Sequence, residues 1–418
     1  MSEARQANGD APMAKGADRA RWFVLLGVWI AYVCFGLVSV SLAPLVGPVT
    51  RDLELSHAAM GTVLGSWQAV YILAAVPCGA LLDRLGTRTA IFAGILLIAL
   101  SALLRGLAID FWSLCLAVGL FGIGGPLISA GAPKVASAWF RGRDRGLAMG
   151  LYMTGPSIGS IAGLALTNAF LMPAFDDDWR RVLQVWGVAA ALGAIAWFAL
   201  AAPPAPAPPA PAPPAPVIDD GRPQRAVVLE LLALPTVRIL LVIAVCIFAF
   251  NHALNNWLPE VLRSHGMTPA EAGYWATIPT AVGIVCSLLV PRLATPPRRT
   301  AILIALALAA VASTLLLQAG AGIVLAAGLV AQGIARSALM TIALLALVET
   351  RGVGERHAGT AGGLFFSAAE VGGAGGPILF GMLYDATGGF VASLAMLTGL
   401  SIAMLACLAR LRAAAHRS

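Results

Sequence analysis

The chain has 418 residues, of which 59% are hydrophobic and only 11% charged, with a formal net charge of +7. An average soluble domain carries about 25% charged residues, so this composition excludes a water-soluble globular protein and describes a polytopic membrane protein. Loops facing lipid headgroups account for the positive balance, which removes it as an argument for nucleic acid.

A helix needs about 20 mostly apolar residues to cross a bilayer. Twelve such spans are predicted, at 22–46, 58–82, 89–108, 112–138, 146–172, 182–202, 237–259, 270–291, 300–319, 322–348, 358–382 and 391–411. The first twenty residues are polar and small, and the apolar run behind them is too long for a signal-peptide core and has no clear cleavage site. Nothing is expected to be removed. Cytoplasmic loops hold the excess of Arg and Lys. With both termini inside, one face collects Arg21, Arg84, Arg88, Arg141, Arg145, Arg225, Arg292, Arg298 and Arg299 among others, and the opposite face keeps Arg51, Arg180, Arg181 and Arg263. The expected location is the inner (cell) membrane, multi-pass, with both termini cytoplasmic.

The first span carries Trp29 and Tyr32, and the second carries Trp67, Gln68 and Tyr71. Each set shares a helix face, able to shape a small pocket or to hold an organic cation, or else to pack or face lipid. The joint after the second span reads "GALLDRLGTR". There Gly79 allows close helix approach and Gly86 a tight turn. Asp83, with Arg84 and Arg88, offers a charge cluster that can pair with basic groups or with a helix N-terminus; the plainer reading is topogenic charge. Arg105 and Lys134 lie nearer helix ends and are read as snorkelling.

The fifth span contains "MGLYMTGPSIGS", where Gly155, Pro156 and Gly159 permit bending and close packing. Next comes "AAPPAPAPPAPAPPAP", too proline-dense for helix or sheet and read as an extended tether. The expected organisation is a tail (1–21), a six-helix bundle (22–202), a Pro-rich linker (203–234), a second six-helix bundle (237–411) and a tail (412–418). An offset of 211 to 213 residues lays "LSHAAMG" on "MTPAEAG" and "TRTAI" on "RRTAI", which points to a duplicated unit.

In the seventh span, "FAFNHALNNWLPEVL" places Asn251 and Asn255, and His252 and Asn256, one turn apart, as a polar stripe that lines a wet cavity or glues helices. The tenth span holds Arg336 with Gln332 one turn before it, and the eleventh holds Glu370 on the face of Phe366. Ionisable groups at helix centre cost about 2.5–3.5 kcal/mol on insertion scales, so each is expected to face a cavity or a partner. Arg336 either grips an anion through its fork of donors or pairs with Glu370. Desolvation favours the neutral form of Glu370, making it the candidate for proton coupling, with a static role as the alternative. The six cysteines show no CxxC spacing, and no metal cluster, P-loop or nucleophile elbow is present. No cofactor, metal or enzymatic activity is expected.

Two similar six-helix halves and a "GALLDRLGTR" loop resemble the major facilitator superfamily along nearly the whole chain. The resemblance implies an all-α membrane fold of twelve helices in two pseudo-symmetric bundles, alternating access around a midplane site, and Asp83 as a cytoplasmic latch. The blocks "ALLRGLA", "APKVASAWFRGRDRGLAMGLY", "WRRVLQVWG" and "NNWLPEVLRSHGMTPAEAGYWATIPTAVGI" are most similar to the cyanate and nitroimidazole transporter group, in which a lysine follows the proline as Lys134 does here. "SWQAVYILAAVPCGALLDRLG" also resembles the heme and choline transporter family. In the fifth span Ser160 stands where the superfamily's exchangers have glycine, so antiport is not implied.

The expected function is secondary active transport of a small polar or anionic organic solute, with proton coupling through Glu370 as one route. Its expected partners are that solute and the lipid bilayer, and a monomer suffices. The alternatives are an exporter of hydrophobic or cationic compounds and a transporter-like membrane sensor docking through the proline segment.

Overall fold

The computed structural model describes residues 15–201, 224–320, 322–350 and 352–415. Among these, eleven helices are long and apolar enough to cross a membrane. They are α1 (Ala20–Asp52), the long His57–Arg105 helix, α4 (Phe111–Trp139), α5 (Asp144–Ala174), α6 (Trp179–Leu200), α7 (Pro235–Ser264), α8 (Pro269–Leu293), α9 (Arg299–Leu316), α10 (Ile323–Val348), α11 (Gly359–Thr387) and α12 (Phe390–Ala413). The His57–Arg105 helix is broken at Gly86, whose φ of 75° and ψ of 160° are open to glycine and strained for other residues. It therefore supplies two spans, α2 (57–85) and α3 (87–105), so that twelve spans exist, as the sequence predicts.

The duplication has a structural cause at the start of α2 and α8. Ser56 accepts a hydrogen bond from the Ala59 N–H, and Thr268 accepts one from the Glu271 N–H. Both are helix N-caps, so the matched "LSHAAMG" and "MTPAEAG" stretches are the same helix-start signal in each half.

Two expected boundaries are corrected. The first helix begins at Lys15, inside the predicted tail. Residues Gln224–Ala233, assigned to the linker, form a short helix because "QRAVVLELLA" has no proline and good helix formers; the proline tract itself lies outside the described residues.

α1 unwinds after Val40 and re-forms as a 3-10 turn and a short helix, Val46–Asp52. Pro44 is the reason, since it has no N–H to give and its ring crowds the carbonyl four residues back. Arg105 of α3 fills the gap, donating to the Val38 carbonyl at 2.8 Å and to Ser41 Oγ at 3.1 Å. The side chain is 1% exposed. The snorkelling expected of Arg105 is thus wrong: the broken helix offers it acceptors inside the bundle, so it need not reach water.

Glycines show how the halves meet. At the end of the bundle away from the termini, a Cβ on Gly61 or Gly65 of α2 would strike the Pro377 or Ala374 carbonyl of α11, and one on Gly273 of α8 the Leu164 carbonyl of α5. At the end that carries the basic loops, Gly79, Gly146, Gly150, Gly359, Gly362 and Gly363 have nothing within 4 Å of such a Cβ. The molecule is closed at the far end and open at the basic end. Gly79, read as a close-approach residue, has no neighbour to approach in this conformation.

Replacing Arg105 with Ala should leave the carbonyl of Val38 without its cross-helix donor. The expected loss is about 1–3 kcal/mol, seen as a lower thermal midpoint of the purified protein in detergent, with no change in Ser56-capped α2.

Candidate functional site

α7 carries the centre of the site. Its polar stripe forms because Asn251, His252, Asn255 and Asn256 recur at one-turn spacing in a helix otherwise packed as core. Two cavities meet beside it. The inner one, about 170 Å³, is walled by Phe35 and Ser39 of α1, Trp67 of α2, Ser157 and Ser160 of α5, His252, Asn255 and Asn256 of α7, and Arg336 of α10. The outer one, about 440 Å³, lies between α5 and α8 towards the basic end and is lined by Thr154, Ser157, Thr280, Ser287, Arg336 and Ser337 among others. Ser157 and Arg336 border both.

Arg336 is half-buried. Its Nη1 donates to Thr280 Oγ1 at 3.0 Å, and its stem runs over Gly283, where a Cβ would come within 3.6 Å of Cγ. No ion pair among the described residues includes Arg336 or Glu370. In this conformation Thr280 takes one guanidinium donor, and the side chain lines both cavities.

Glu370 lies elsewhere, 8% exposed, with Oε2 buried and without a hydrogen-bond partner. Gln68 of α2, fully buried, shares with it the space over Gly373, and its Nε2 stands 2.9 Å from His252 Nδ1. An amide nitrogen only donates, so His252 accepts through Nδ1 and carries its proton on Nε2.

Of the predicted substrate residues, Arg336, His252, Asn255 and Trp67 line the inner cavity. The others support it or stand apart. Trp29 holds Thr154, its Nε1 donating to Thr154 Oγ1 at 3.0 Å. Tyr32 is buried against Tyr152, with ring centroids 5.1 Å apart. Tyr71 bonds Ser129 at 2.8 Å. Gln332 is 2% exposed and borders only a gap of about 10 Å³. Asn251 lines none of these cavities.

The hydroxyls of Thr154, Ser157, Ser160, Thr280 and Ser337 are missing from the sequence-based set. A lone Ser or Thr in an apolar helix usually bonds its own preceding turn, as Thr154 and Ser337 do here at 2.7 Å, so nothing in the sequence separates cavity hydroxyls from the rest. Among the described residues no group of three or more His, Cys, Asp or Glu is arranged to hold a metal ion.

The family model of the Major Facilitator Superfamily matches residues 28–296 and 240–418. The chain belongs to the Major Facilitator Superfamily. It is 24% identical over 433 residues to the probable galactarate/D-glucarate transporter GudP of Bacillus subtilis (strain 168), covering 92% of this chain and 90% of that one. It is 25% identical over 301 residues to a D-galactonate transporter of Escherichia coli O6:H1, covering 67% and 68%. Among solved structures it resembles a bacterial homologue of the human lysosomal transporter Spinster (TM-score 0.71, 19% identity, covering 93% and 94%) and the nucleoside transporter NupG (TM-score 0.75, 13% identity, covering 93% and 99%), likenesses of fold. As a superfamily member the chain is a secondary transporter in the membrane, and it is not an enzyme.

The superfamily's signature loop is disengaged here. Asp83 forms an ion pair with Lys134 of α4, in its own half; Lys134 is thus not simply snorkelling. Arg88 donates to the Phe198 carbonyl at 2.8 Å and covers the Phe198 ring, while Arg84 is exposed. In α5 the helix is interrupted at Met153–Thr154, directly before Gly155 and Pro156, and Gly159 lies against the α1 backbone at Val33.

At the far end the opposite holds. The Asp385 carboxylate of α11 accepts from the His57 and Ala58 N–H groups at 3.0 and 2.7 Å, closing the N-terminus of α2. The His57 ring stands 3.2 Å from the same carboxylate and stacks on Tyr384, centroids 3.7 Å apart. Sequence reasoning missed Asp385, though a signal exists: "GMLYDATG" at Gly381–Gly388 repeats the G-x-L-x-D-x-x-G spacing of "GALLDRLG" at Gly79–Gly86. The last glycine of each has positive φ, 75° at Gly86 and 73° at Gly388.

Replacing Asp385 with Ala removes a cross-helix capping interaction worth about 1 kcal/mol. The far-end-open population is then expected to rise roughly fivefold, read by distances between spin labels at the ends of α2 and α11.

Proposed function

We propose that the protein carries a sugar acid, a hydroxylated carboxylate of the aldonate or aldarate class, together with a proton. The observation that supports this most directly is Arg336, half-buried where the two cavities meet and without a carboxylate partner among the described residues. A guanidinium left with free donors in a bundle of this hydropathy matches a cargo carboxylate bidentately. His252, Asn255, Asn256 and the serine and threonine hydroxyls around the cavity supply the hydrogen-bonding groups that a polyol chain requires. A volume of about 440 Å³ falls within the usual range of ligand pockets, about 300–1,000 Å³. The relatives named as galactarate/D-glucarate and D-galactonate transporters support the same class.

Proton coupling is assigned to Glu370, an unpaired, buried carboxyl at the seam between the halves. The excess of Arg and Lys on the open face makes that face cytoplasmic; the conformation is then inward-open, in the cell membrane, with both termini inside. A second reading is a small oxyanion, as the resemblance to cyanate transporters implies; the 170 Å³ inner cavity beside Arg336 supports it.

In proteoliposomes, labelled D-galactonate and D-glucarate should be taken up, with cyanate or nitrate competing weakly. Arg336→Ala is expected to weaken binding by at least about 30-fold, the low end of the 2–5 kcal/mol attached to truncating a buried charge pair. Strong inhibition by cyanate would favour the second reading, and uptake that survives Arg336→Ala would overturn the anion site.

A further inference from the structure

Two buried oxygens are left without partners where α2, α7 and α11 converge: Gln68 Oε1 and Glu370 Oε2. Both belong to side chains more than nine-tenths buried. Their side chains converge over Gly373. A Cβ on Gly373 would come within 3.0 Å of Glu370 Oε2, 3.3 Å of His252 Cδ2 and 3.4 Å of Gln68 Cγ, so the absence of that atom lets the three side chains crowd together. An amide oxygen and an ionised carboxylate are both acceptors only, so neither can satisfy the other. Native structures rarely leave such groups unpaired. One proton on the carboxyl turns it into a donor and satisfies both.

We propose that Glu370 holds a proton in this conformation and donates it to Gln68 Oε1, so that a hydrogen-bonded chain Glu370–Gln68–His252 joins the coupling carboxyl to the cargo cavity. Gln68 is the positioning residue of that chain. Its nitrogen donates to His252 Nδ1, which fixes the His252 proton on Nε2; His252 itself lines the inner cavity with Arg336. Gln68 therefore does not touch cargo. It carries the state of Glu370 to the ring that does.

The chain exists only while the halves are closed at the far end, because Gln68 comes from the first half and both its partners from the second. Separation of α2 from α11 strips Gln68 from Glu370 and His252 together. The carboxyl then loses its acceptor and takes up its proton from water entering from the far end. A proton binding from that side thereby favours closure there and opening at the basic face, the sense needed to carry cargo inward with the proton gradient. The titratable groups facing Glu370 are His252 from α7 and Tyr71 from α2, with Arg336 of α10 facing His252; none is a carboxylate that could share the proton.

This inference rests on Glu370 as the coupling group, so the test separates the two. Infrared difference spectroscopy on the reconstituted full chain, with no cargo present, should give a protonated-carboxyl band at neutral pH. Glu370→Gln should abolish it, and Gln68→Leu should shift it by removing the acceptor. In proteoliposomes with D-galactonate as probe, Gln68→Leu should lower the ratio of pH-driven accumulation to gradient-free counterflow at least tenfold. A missing band, or a band and ratio unchanged in Gln68→Leu, overturns the chain while leaving coupling intact. Loss of counterflow along with accumulation also overturns it, since Gln68 would then be a cargo ligand. Accumulation unchanged in Glu370→Gln overturns the coupling assignment itself. Should Gln68→Leu fail to fold, Gly373→Ala forces the three groups apart without deleting any, and the same band shift and ratio decide.

Discussion

The approach of α2 to α11 at the far end determines which way this molecule is open. Gly61 and Gly65 put the α2 backbone against the carbonyls of Pro377 and Ala374, a spacing that any side chain would forbid. Asp385 then closes the exposed N–H groups of α2. With the helices fixed there and no comparable contact at the basic end among the described residues, the two halves splay, and the space between α5, α8 and α10 is the result. The position of Gln68 against Glu370 and His252 depends on the same contact, since it is made by the next turn of α2.

Two arginines within the spans show how the bilayer sorts charge. Neither Arg105 nor Arg336 has a carboxylate partner among the described residues, yet they do different work. Arg105 is solvated by the Val38 carbonyl, in the turn where α1 unwinds, and by Ser41 Oγ. Its Nη1 is spent on the fold. Arg336 has a single hydroxyl, that of Thr280, and otherwise faces cavity. In hydrocarbon a guanidinium must be solvated by something, and what solvates it decides whether it is architecture or binding site.

The two aspartates that follow G-x-L-x-D-x-x-G carry the same lesson for gating. Asp83 and Asp385 sit at equivalent places near the C-terminal ends of α2 and α11, each three residues before a glycine of positive φ. A carboxylate in that place can close the N-terminus of whichever helix comes against it. Here Asp385 has found α2, while Asp83 has turned to Lys134 of its own half. The local sequence is the same device twice, and the tilt of the halves selects which copy is engaged.

Composition and spacing alone determined that the chain crosses a membrane twelve times, in two related halves, with a break at Gly86 and charge at Arg336 and Glu370 that demanded explanation. These features are local: helix length, hydropathy, caps and glycine torsions act within a turn or two of the chain. What no local signal carried is which polar groups meet. The partners of Arg105 and Arg336 lie 67 and 56 positions away, Val38 O and Thr280 Oγ1. The stripe on α7 was visible as polarity on one face of an apolar helix, and His252 and Asn255 of that stripe line the inner cavity. The aromatic faces of α1 and α2 misled for Tyr32 and Tyr71, since an aromatic face packs on a neighbour as readily as it lines a pocket. Only the tertiary structure decided between these, because in a bilayer a side chain's role is fixed by which acceptor, donor or cavity the packing of the other helices brings to it.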